Sequence, residues 1–205
     1  MSKQRLKSPR ARLFVALDLP EAIREGLAAW QRDQISEQRE LRPSRPETLH
    51  MTLAFLGYHP ERAMDRIAEV ATGFQGTAPL VRLLPDPVAV PRNRPRLYAV
   101  DSESDETIAL QAEVERRLVK ARFYTPEKRA FWPHLTVARV RPEKRGSKRP
   151  ARVESPPGPL PEALLEPFRG VRITLYRSHL RPTGAEYESV ARLELPPGNG
   201  GGKAS

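Results

Sequence analysis

The chain has 205 residues, and its 35 lysines and arginines outnumber its 25 aspartates and glutamates, which gives a formal net charge of +10. This length suffices for one globular domain with a sizeable core, and the basic balance favours an anionic partner such as nucleic acid, a phosphorylated small molecule or an acidic membrane surface. The sequence has no cysteine, which excludes disulfides, thiolate nucleophiles and cysteine–zinc sites and suits a reducing, cytoplasmic location.

The first part of the chain predicts a strand and a helix, followed by a second strand and a second helix. An apolar run from Arg12 to Leu19 predicts a β-strand, and because Asp18 interrupts it we expect neither a signal peptide nor a membrane span. Pro20 suits the first turn of an amphipathic helix that extends to about Gln38. A second strand is predicted from Leu49 to Leu56, and a second helix begins at Pro60.

The second part of the chain mixes strands with one helix and a long loop. The predicted elements are, in order, strands over 80–90 and 96–100, a helix, a strand that begins after Pro133, a loop over 141–161, and strands over 171–180 and 187–195. Asp105 is placed to cap the helix, whose inner face is Leu110, Val114 and Leu118. Because strands and helices do not strictly alternate, the sequence predicts an α+β fold with largely antiparallel sheets.

We expect a single domain over 11–195 between two disordered tails. Residues 1–10 are basic and residues 196–205 are rich in glycine, so neither segment has much to bury. The loop over 141–161 gathers proline and basic residues. The basic N-terminal run and this loop are either solvated, flexible surface or contacts for a polyanion, and the sequence leaves both interpretations open.

The most informative feature is a pair of His-x-Thr motifs inside predicted strands. They are His50-Met51-Thr52 and His134-Leu135-Thr136, in a chain with only four histidines. Alternate side chains of a strand share a face, so each histidine points the same way as its threonine. By the same rule, Met51, Leu53 and Phe55 should point into a core. The recurrence of a helix and a motif strand suggests two similar lobes that share one cleft.

Two imidazoles in one cleft suit in-line attack on a phosphodiester without a metal. The neutral ring removes a proton from the incoming water, and the protonated ring donates to the departing oxygen. Both states are accessible because histidine titrates at about 6.5. Threonine hydroxyls can hold the non-bridging oxygens, and Arg139, near the end of the second motif strand, is the natural guanidinium clamp.

Structural and metal-binding roles fit the motif histidines less well. A single His-x-Thr could be a histidine satisfied in a core or loop, so only the matched pair favours catalysis. His59 and His179 have no such partner, and we expect surface or structural roles for them. Zinc requires three or four ligands, and neither motif has a second ligand at a suitable offset, so we expect no metal and no cofactor. A serine-hydrolase elbow and a glycine-rich phosphate loop are missing from the sequence.

These residues resemble the 2H phosphoesterases, which are named for two His-x-Thr motifs. Within them, the chain is similar to the RNA 2′,3′-cyclic phosphodiesterase branch, long called 2′-5′ RNA ligase. The resemblance extends from about Arg12 to Leu195 and is carried by the opening strand, both motif strands and one late segment. In residue numbers, these are 12–20, 49–57, 133–139 and 175–187.

The resemblance implies a two-lobed fold with the cleft between the lobes. It also implies metal-independent hydrolysis of an RNA 2′,3′-cyclic phosphate end to a 2′-phosphate, and the joining of tRNA halves through a 2′-5′ linkage by some members. By motif position, His50 is the general acid and His134 the general base, while Thr52, Thr136 and Arg139 contact the phosphate. The expected partner is RNA with such an end, tRNA halves included, and we expect a monomer with no membrane partner.

Some features depart from this pattern or stay ambiguous. The loop over 141–161 is longer and more basic than the family pattern needs, so it either lengthens the RNA contact or is disordered. Tyr58, Phe131 and Trp132 lie beside the motifs and either stack a terminal base or pack at the cleft wall. Two other functions stay open, a basic RNA-binding module without turnover and an esterase of a small cyclic nucleotide. The intact motifs argue against the first, since simple phosphate contacts are more often made by lysine and arginine.

Overall fold

The computed structural model describes residues 9–181 and 184–198 of the chain. Most of both predicted tails, residues 1–8 and 199–205, lies outside the described residues, as do residues 182–183 between the last two predicted strands. Arg10 already begins the first strand. At the other end, the carbonyl of Pro196 accepts a hydrogen bond from the backbone N–H of Ala78.

The described residues form an antiparallel sheet with a few helices, which confirms the α+β class. The strands are β1 (Arg10–Asp18), β2 (Leu41–Pro43), β3 (His50–Pro60), β4 (Leu80–Leu83), β5 (Val88–Val90), β6 (Leu97–Glu103), β7 (His134–Val140), β8 (Phe168–Arg169), β9 (Arg172–Arg181) and β10 (Gly184–Glu194). The α-helices are α1 (Glu21–Gln34), α2 (Met64–Ala71) and α3 (Asp105–Lys120). Single-turn 3₁₀ helices lie at 46–48, 61–63 and 162–164.

The two predicted lobes are halves of one sheet. The strand order is β10-β9-β1-β3-β7-β6-β4-β8, with β2 paired to β7 and β5 paired to β6. The first motif strand, β3, is therefore the neighbour of the second, β7. Within the described chain, one residue pair, Met51 with Leu135, is in register between them.

Each motif strand has the same register against its outer neighbour. In β3, His50 pairs with Asp18 of β1, and Thr52 pairs with Ala16. The corresponding partners of β7 are Asp101 and Ala99 of β6, which pair with His134 and Thr136. The strand pairs β1–β3 and β6–β7 are therefore structural repeats of each other, although their sequences differ at most positions.

The core lies behind the motif residues. Met51, Leu53, Leu135 and Val137 alternate with the histidines and threonines, and all four are buried in one apolar cluster. The predicted inner face of α3 is also buried in this cluster. Burial of one face of both motif strands fixes which way their polar side chains point, because a slip of one residue would exchange the two faces.

Several predicted boundaries were wrong. The helix α1 ends at Gln34, four residues before Gln38. Ser104, not Asp105, caps α3, since its side chain accepts a hydrogen bond of 2.9 Å from the backbone N–H of Thr107. The predicted strand over 80–90 is two strands, because Pro85 and Pro87 interrupt it and proline cannot donate to a strand ladder. No described helix is long and apolar enough to cross a membrane.

The loop over 141–161 folds back on the first helix. All of it is described, and it contains no helix or strand except an isolated bridge between Pro142 and Pro150. The Trp30 indole N–H donates to the carbonyl of Pro159, and the backbone N–H of Gly158 donates to the side chain of Gln34. The second half of the loop is thereby held against α1, while its lysines and arginines at 144–149 are exposed.

Candidate active site

One cleft of about 640 Å³ brings all five predicted site residues together. His50 and Thr52 enter it from β3, and His134, Thr136 and Arg139 enter it from β7. The motif strands lie side by side at the centre of the sheet, so the two histidines share one sheet face rather than facing each other from opposite walls. The other described residues that line the cleft are Arg12, Phe14, residues 42–45, Thr48, Phe55, Leu180, Arg181, Gly184, Ala185 and Tyr187.

A β-bulge in each motif strand determines which side chain beyond the threonine faces the cleft. Leu53 in β3 and Val137 in β7 are each skipped in the pairing with the outer neighbour. A bulge inserts one extra residue, so the alternation of faces reverses beyond it. Arg139 is an odd number of residues from His134 and would face the core in a regular strand, but the bulge turns it into the cleft.

The same bulge geometry overturns one prediction. Phe55 occupies the position in β3 that Arg139 occupies in β7, and it lines the cleft with 42% of its surface exposed. The prediction that Phe55 points into a core is therefore wrong, because regular alternation does not hold beyond Leu53. The guanidinium of Arg12 lies 4.4 Å from the centroid of the Phe55 ring, an arrangement typical of a cation–π contact.

His50 is enclosed by aromatic rings. Phe14 stacks on it at 5.0 Å between ring centroids, and Tyr187 meets it edge-on at 5.4 Å. Burial lowers the pKa of His50 to about 4, and the neighbouring positive charges of His134 and Arg139 act in the same direction. A hydrogen bond to the backbone of Thr48 opposes this shift of the pKa. The ring is therefore neutral near pH 7 when the cleft is empty.

Asp18, the register partner of His50, anchors the aromatic wall behind that ring. Its carboxylate accepts hydrogen bonds from the hydroxyls of Thr174 at 2.8 Å and Tyr176 at 2.9 Å. The ring of Tyr176 stacks on Phe14, which in turn stacks on His50. Burial raises the pKa of Asp18, although both hydrogen bonds and the charge of Arg172 oppose this.

His134 has a fixed tautomer. Its Nδ1 lies 2.7 Å from the backbone carbonyl of Trp132, and a carbonyl can only accept a hydrogen bond. In the neutral ring, Nδ1 therefore carries the proton and Nε2 carries the lone pair. Burial lowers the pKa of His134, while this hydrogen bond and the negative charge of Asp101 oppose the shift.

Trp132 supports His134 from two directions. The indole ring stacks on the imidazole at 3.9 Å between centroids, with 16° between the planes. The indole N–H donates to Asp101 at 2.7 Å, and Asp101 is the register partner of His134. Trp132 therefore packs against His134 without being among the described lining residues of the cleft, and its stacking on a terminal base stays a prediction.

Sequence reasoning missed both aspartates. The signal that could have found them is the similar pattern of two segments, Phe14-Val15-Ala16-Leu17-Asp18 and Leu97-Tyr98-Ala99-Val100-Asp101. Each run is apolar and ends in an aspartate just before a helix. The register places the two runs identically against the motif strands.

The cleft is strongly positive. Five arginines line it, and no aspartate or glutamate is among its described lining residues. Sequence reasoning identified one of the five; the complete set is Arg12, Arg42, Arg45, Arg139 and Arg181. Such a lining favours a ligand with more than one negative charge.

The remaining two histidines and Phe131 lie outside this cleft. His59 lies 3.1 Å from the carbonyl of Leu56, and His179 lies 2.8 Å from the carboxylate of Glu188. Phe131 lines a neighbouring cavity of about 380 Å³ that shares Thr52, Phe55 and His134 with the cleft. Within the described residues, no three histidines, aspartates or glutamates are grouped so that they could hold a metal ion.

Known proteins resemble this chain over nearly its whole length. The family model described as the 2′-5′ RNA ligase superfamily matches residues 19–180. A protein of Methanothermobacter thermautotrophicus named RNA 2′,3′-cyclic phosphodiesterase is 30% identical over 194 residues, which cover 91% of this chain and 100% of that protein. A protein of the same name from Methanocaldococcus jannaschii is 27% identical over 180 residues, covering 87% of this chain and 98% of that protein.

A solved structure has the same fold. The crystal structure of TT0787 of Thermus thermophilus superposes with a TM-score of 0.73 at 26% identity, covering 91% of this chain and 98% of that chain. The segment matched by the family model contains both motif strands and all five predicted site residues. The chain therefore belongs to the 2′-5′ RNA ligase superfamily.

Proposed function

We propose that this protein hydrolyses the 2′,3′-cyclic phosphate at an RNA end and leaves a 2′-phosphate. The observation that carries the proposal is the convergence of two motif histidines, two threonines and Arg139 in one arginine-lined cleft. The names of the curated relatives, RNA 2′,3′-cyclic phosphodiesterase, support this substrate class.

His134 acts as the general base. Its Nδ1–H is held by the Trp132 carbonyl, so the lone pair of Nε2 is available to take a proton from the attacking water. As water bonds to phosphorus, the ring becomes an imidazolium, and the negative charge of Asp101 stabilises that form.

His50 acts as the general acid and protonates the 3′-oxygen as the bond from phosphorus to that oxygen breaks. A pKa of about 4 keeps the ring neutral in the empty cleft. A bound phosphodiester adds a negative charge beside the ring, and a nearby opposite charge raises the pKa of histidine. Binding of the substrate thereby favours the protonated state that the step requires.

Thr52, Thr136 and Arg139 hold the phosphate. The two hydroxyls donate to non-bridging oxygens, and the guanidinium can bind two of these oxygens at once. No step requires a metal, since the two imidazoles supply both proton transfers. The same step with an RNA 5′-hydroxyl in place of water joins two ends through a 2′-5′ linkage, so we extend the proposal to ligation, with tRNA halves as candidate substrates. A cytoplasmic location and a monomeric state stay predictions.

The test is product mapping on a defined oligoribonucleotide with a 2′,3′-cyclic phosphate end, in the presence of EDTA. The proposal predicts a terminal 2′-phosphate. A terminal 3′-phosphate would place the departing oxygen at the 2′ position and contradict the proposed geometry. Binding without any product, unaltered by His50→Ala and His134→Ala, would favour a non-catalytic RNA-binding module.

The order of acid and base has a separate test. A cyclic substrate with sulfur in place of the 3′-oxygen needs no general acid, because a thiolate leaves without protonation. We expect His50→Ala to recover most of its lost rate on this substrate, while His134→Ala stays slow. Recovery of His134→Ala instead would reverse the two roles.

A further inference from the structure

A second cavity lies beside the reacting centre, on the side of His134. Its volume is about 380 Å³, which is within the range of small-molecule sites. Thr52, Phe55 and His134 line both this cavity and the cleft, so the two spaces adjoin, whereas His50 lines the cleft only. We name it the side cavity, and the proposed hydrolysis assigns no task to it.

The proposed reaction determines on which side of the phosphorus the base of the substrate lies. In-line attack places the incoming water, next to His134, opposite the departing 3′-oxygen, next to His50. In the ribose, C3′ carries the departing oxygen and is bonded to C4′, from which the 5′ chain extends, whereas C2′ is bonded to C1′, which carries the base. The C2′ side of the sugar therefore lies toward His134, and the base lies on that side with it. The side cavity borders the reacting centre on the same side.

Two polar side chains of α3 line the side cavity, and their spacing of four residues places them on one face of the helix. Gln111 is 8% exposed, and its amide Nε2 donates to Oε2 of Glu115 at 3.2 Å. Because a carboxylate can only accept a hydrogen bond, this contact fixes the orientation of the amide. The carbonyl oxygen of Gln111 and the carboxylate of Glu115 are thus both acceptors.

The negative charge of Glu115 acts inside the side cavity. Burial raises the pKa of Tyr124, another lining residue, and the charges of Glu127 and Glu115 raise it further. Glu127 pairs with Arg129 at 2.6 Å, whereas Glu115 contacts the neutral amide of Gln111. The side cavity therefore suits a ligand with N–H donors, in contrast to the arginine-lined cleft.

We propose that the side cavity binds the base of the terminal nucleotide and selects a base that carries an exocyclic amino group. Glu115 accepts a hydrogen bond from that amino group, while Phe131 and Trp132 supply aromatic surface of the kind on which single-stranded RNA bases stack. Cytosine, adenine and guanine carry such a donor, whereas uracil turns a carbonyl oxygen toward the carboxylate. This inference rests on the proposed function and sharpens it, because it specifies which RNA ends are preferred.

The test compares cytidine 2′,3′-cyclic phosphate with uridine 2′,3′-cyclic phosphate, two probes of nearly equal size that differ only on the Watson–Crick edge of the base. We expect kcat/KM to be about tenfold higher or more for the cytidine probe, the gain typical of a hydrogen bond to a charged group. In Glu115→Gln an amide N–H donor takes the place of a carboxylate oxygen, so the ratio of the two kcat/KM values should fall to one or below. Because both probes are measured on the same variant, a general loss of activity cancels in this ratio.

Glu113→Gln is the matched control. It removes the same charge from the same helix, but two residues away and on another face, where Glu113 pairs with Arg116 at 2.7 Å. The ratio should keep its wild-type value in this variant, and circular dichroism would establish that both variants are folded.

Equal kcat/KM values for the two probes in the wild type would overturn the base site, and so would a ratio that Glu115→Gln leaves unchanged. In either case the proposed function stands. Hydrolysis of neither probe nor of any cyclic-ended oligonucleotide would instead remove the function itself.

Discussion

Met51 of β3 pairs with Leu135 of β7, and this pair joins the two halves of the sheet. Each residue is flanked in sequence by the histidine and threonine of its motif, and both are fully buried. Because neighbours along a strand point to opposite faces, the four polar side chains surround the pair on the cleft side. The apolar seam thus sets the positions of both histidines.

Leu135→Ala tests this seam. The side chain is fully buried, so its truncation should cost about 2–5 kcal/mol of unfolding free energy through lost burial and a residual cavity. Urea unfolding measures the loss, with Ile108→Ala as the control. Ile108 is 44% exposed on α3, and its truncation should change stability by about 0.5 kcal/mol or less. Equal costs for both variants would contradict the role of the seam.

Asp101→Asn tests the support of His134. The carboxylate raises the pKa of His134, so loss of its charge should lower that pKa further. NMR titration of the imidazole measures the shift directly. Hydrolysis should slow by about tenfold, because the imidazolium formed during proton transfer loses a stabilising charge. Asp86→Asn, in the exposed turn between β4 and β5, should change neither quantity, and an unmoved His134 titration in Asp101→Asn would count against the account.

The pH dependence of kcat/KM reports the pKa values of the two histidines in the empty cleft. Catalysis requires one protonated and one neutral histidine, and burial lowers the pKa of both. The optimum of kcat/KM should therefore lie below about pH 6.5, which is the ordinary pKa of histidine. The optimum of kcat should lie at higher pH, because bound phosphate raises the pKa of His50. A kcat/KM that still increases from pH 7 to pH 8 would be incompatible with this assignment.

The stability of the free protein should depend on His50 in acid. Its pKa is about 4 in the folded state and about 6.5 in the unfolded chain. Between these values the unfolded chain binds more protons, so stability falls as the pH drops from about 6.5 to 4. His50→Gln removes this dependence and should recover about 1 kcal/mol at pH 5 relative to the wild type, after allowance for the solvent access of the ring. Above pH 7.5 the difference in unfolding free energy between the two proteins should not change with pH. A difference that also stays constant down to pH 4 would disprove the linkage.

The sequence was sufficient to predict the strands that carry the motifs, because the alternation of apolar and polar residues around His50 and His134 fixes the buried face. It was insufficient beyond Leu53 and Val137, where bulges reverse the alternation. A bulge depends on the pairing with a neighbouring strand, which one strand's sequence does not contain. This is why the orientation of Phe55 was mispredicted.

Long-range pairing also explains which site residues were missed. Asp18 and Asp101 come close to the histidines through the strand register, across long intervals of sequence. Arg42 was not identified from the sequence, because its position opposite Arg139 follows from the pairing of β2 with β7. The start of α3 was missed for a local reason, since Ser104 and Asp105 are both good capping residues and the sequence does not decide between them.

The most direct test of the central claim is the rate of cyclic phosphate hydrolysis by His50→Ala, His134→Ala and the double variant, measured with EDTA present. If two imidazoles act on one phosphorus atom, loss of either should lower the hydrolysis rate by about 10²–10⁴-fold. The double variant should be little slower than either single variant, because the two residues act as a unit. Circular dichroism would establish that each variant is folded. Wild-type turnover in either single variant would contradict the account.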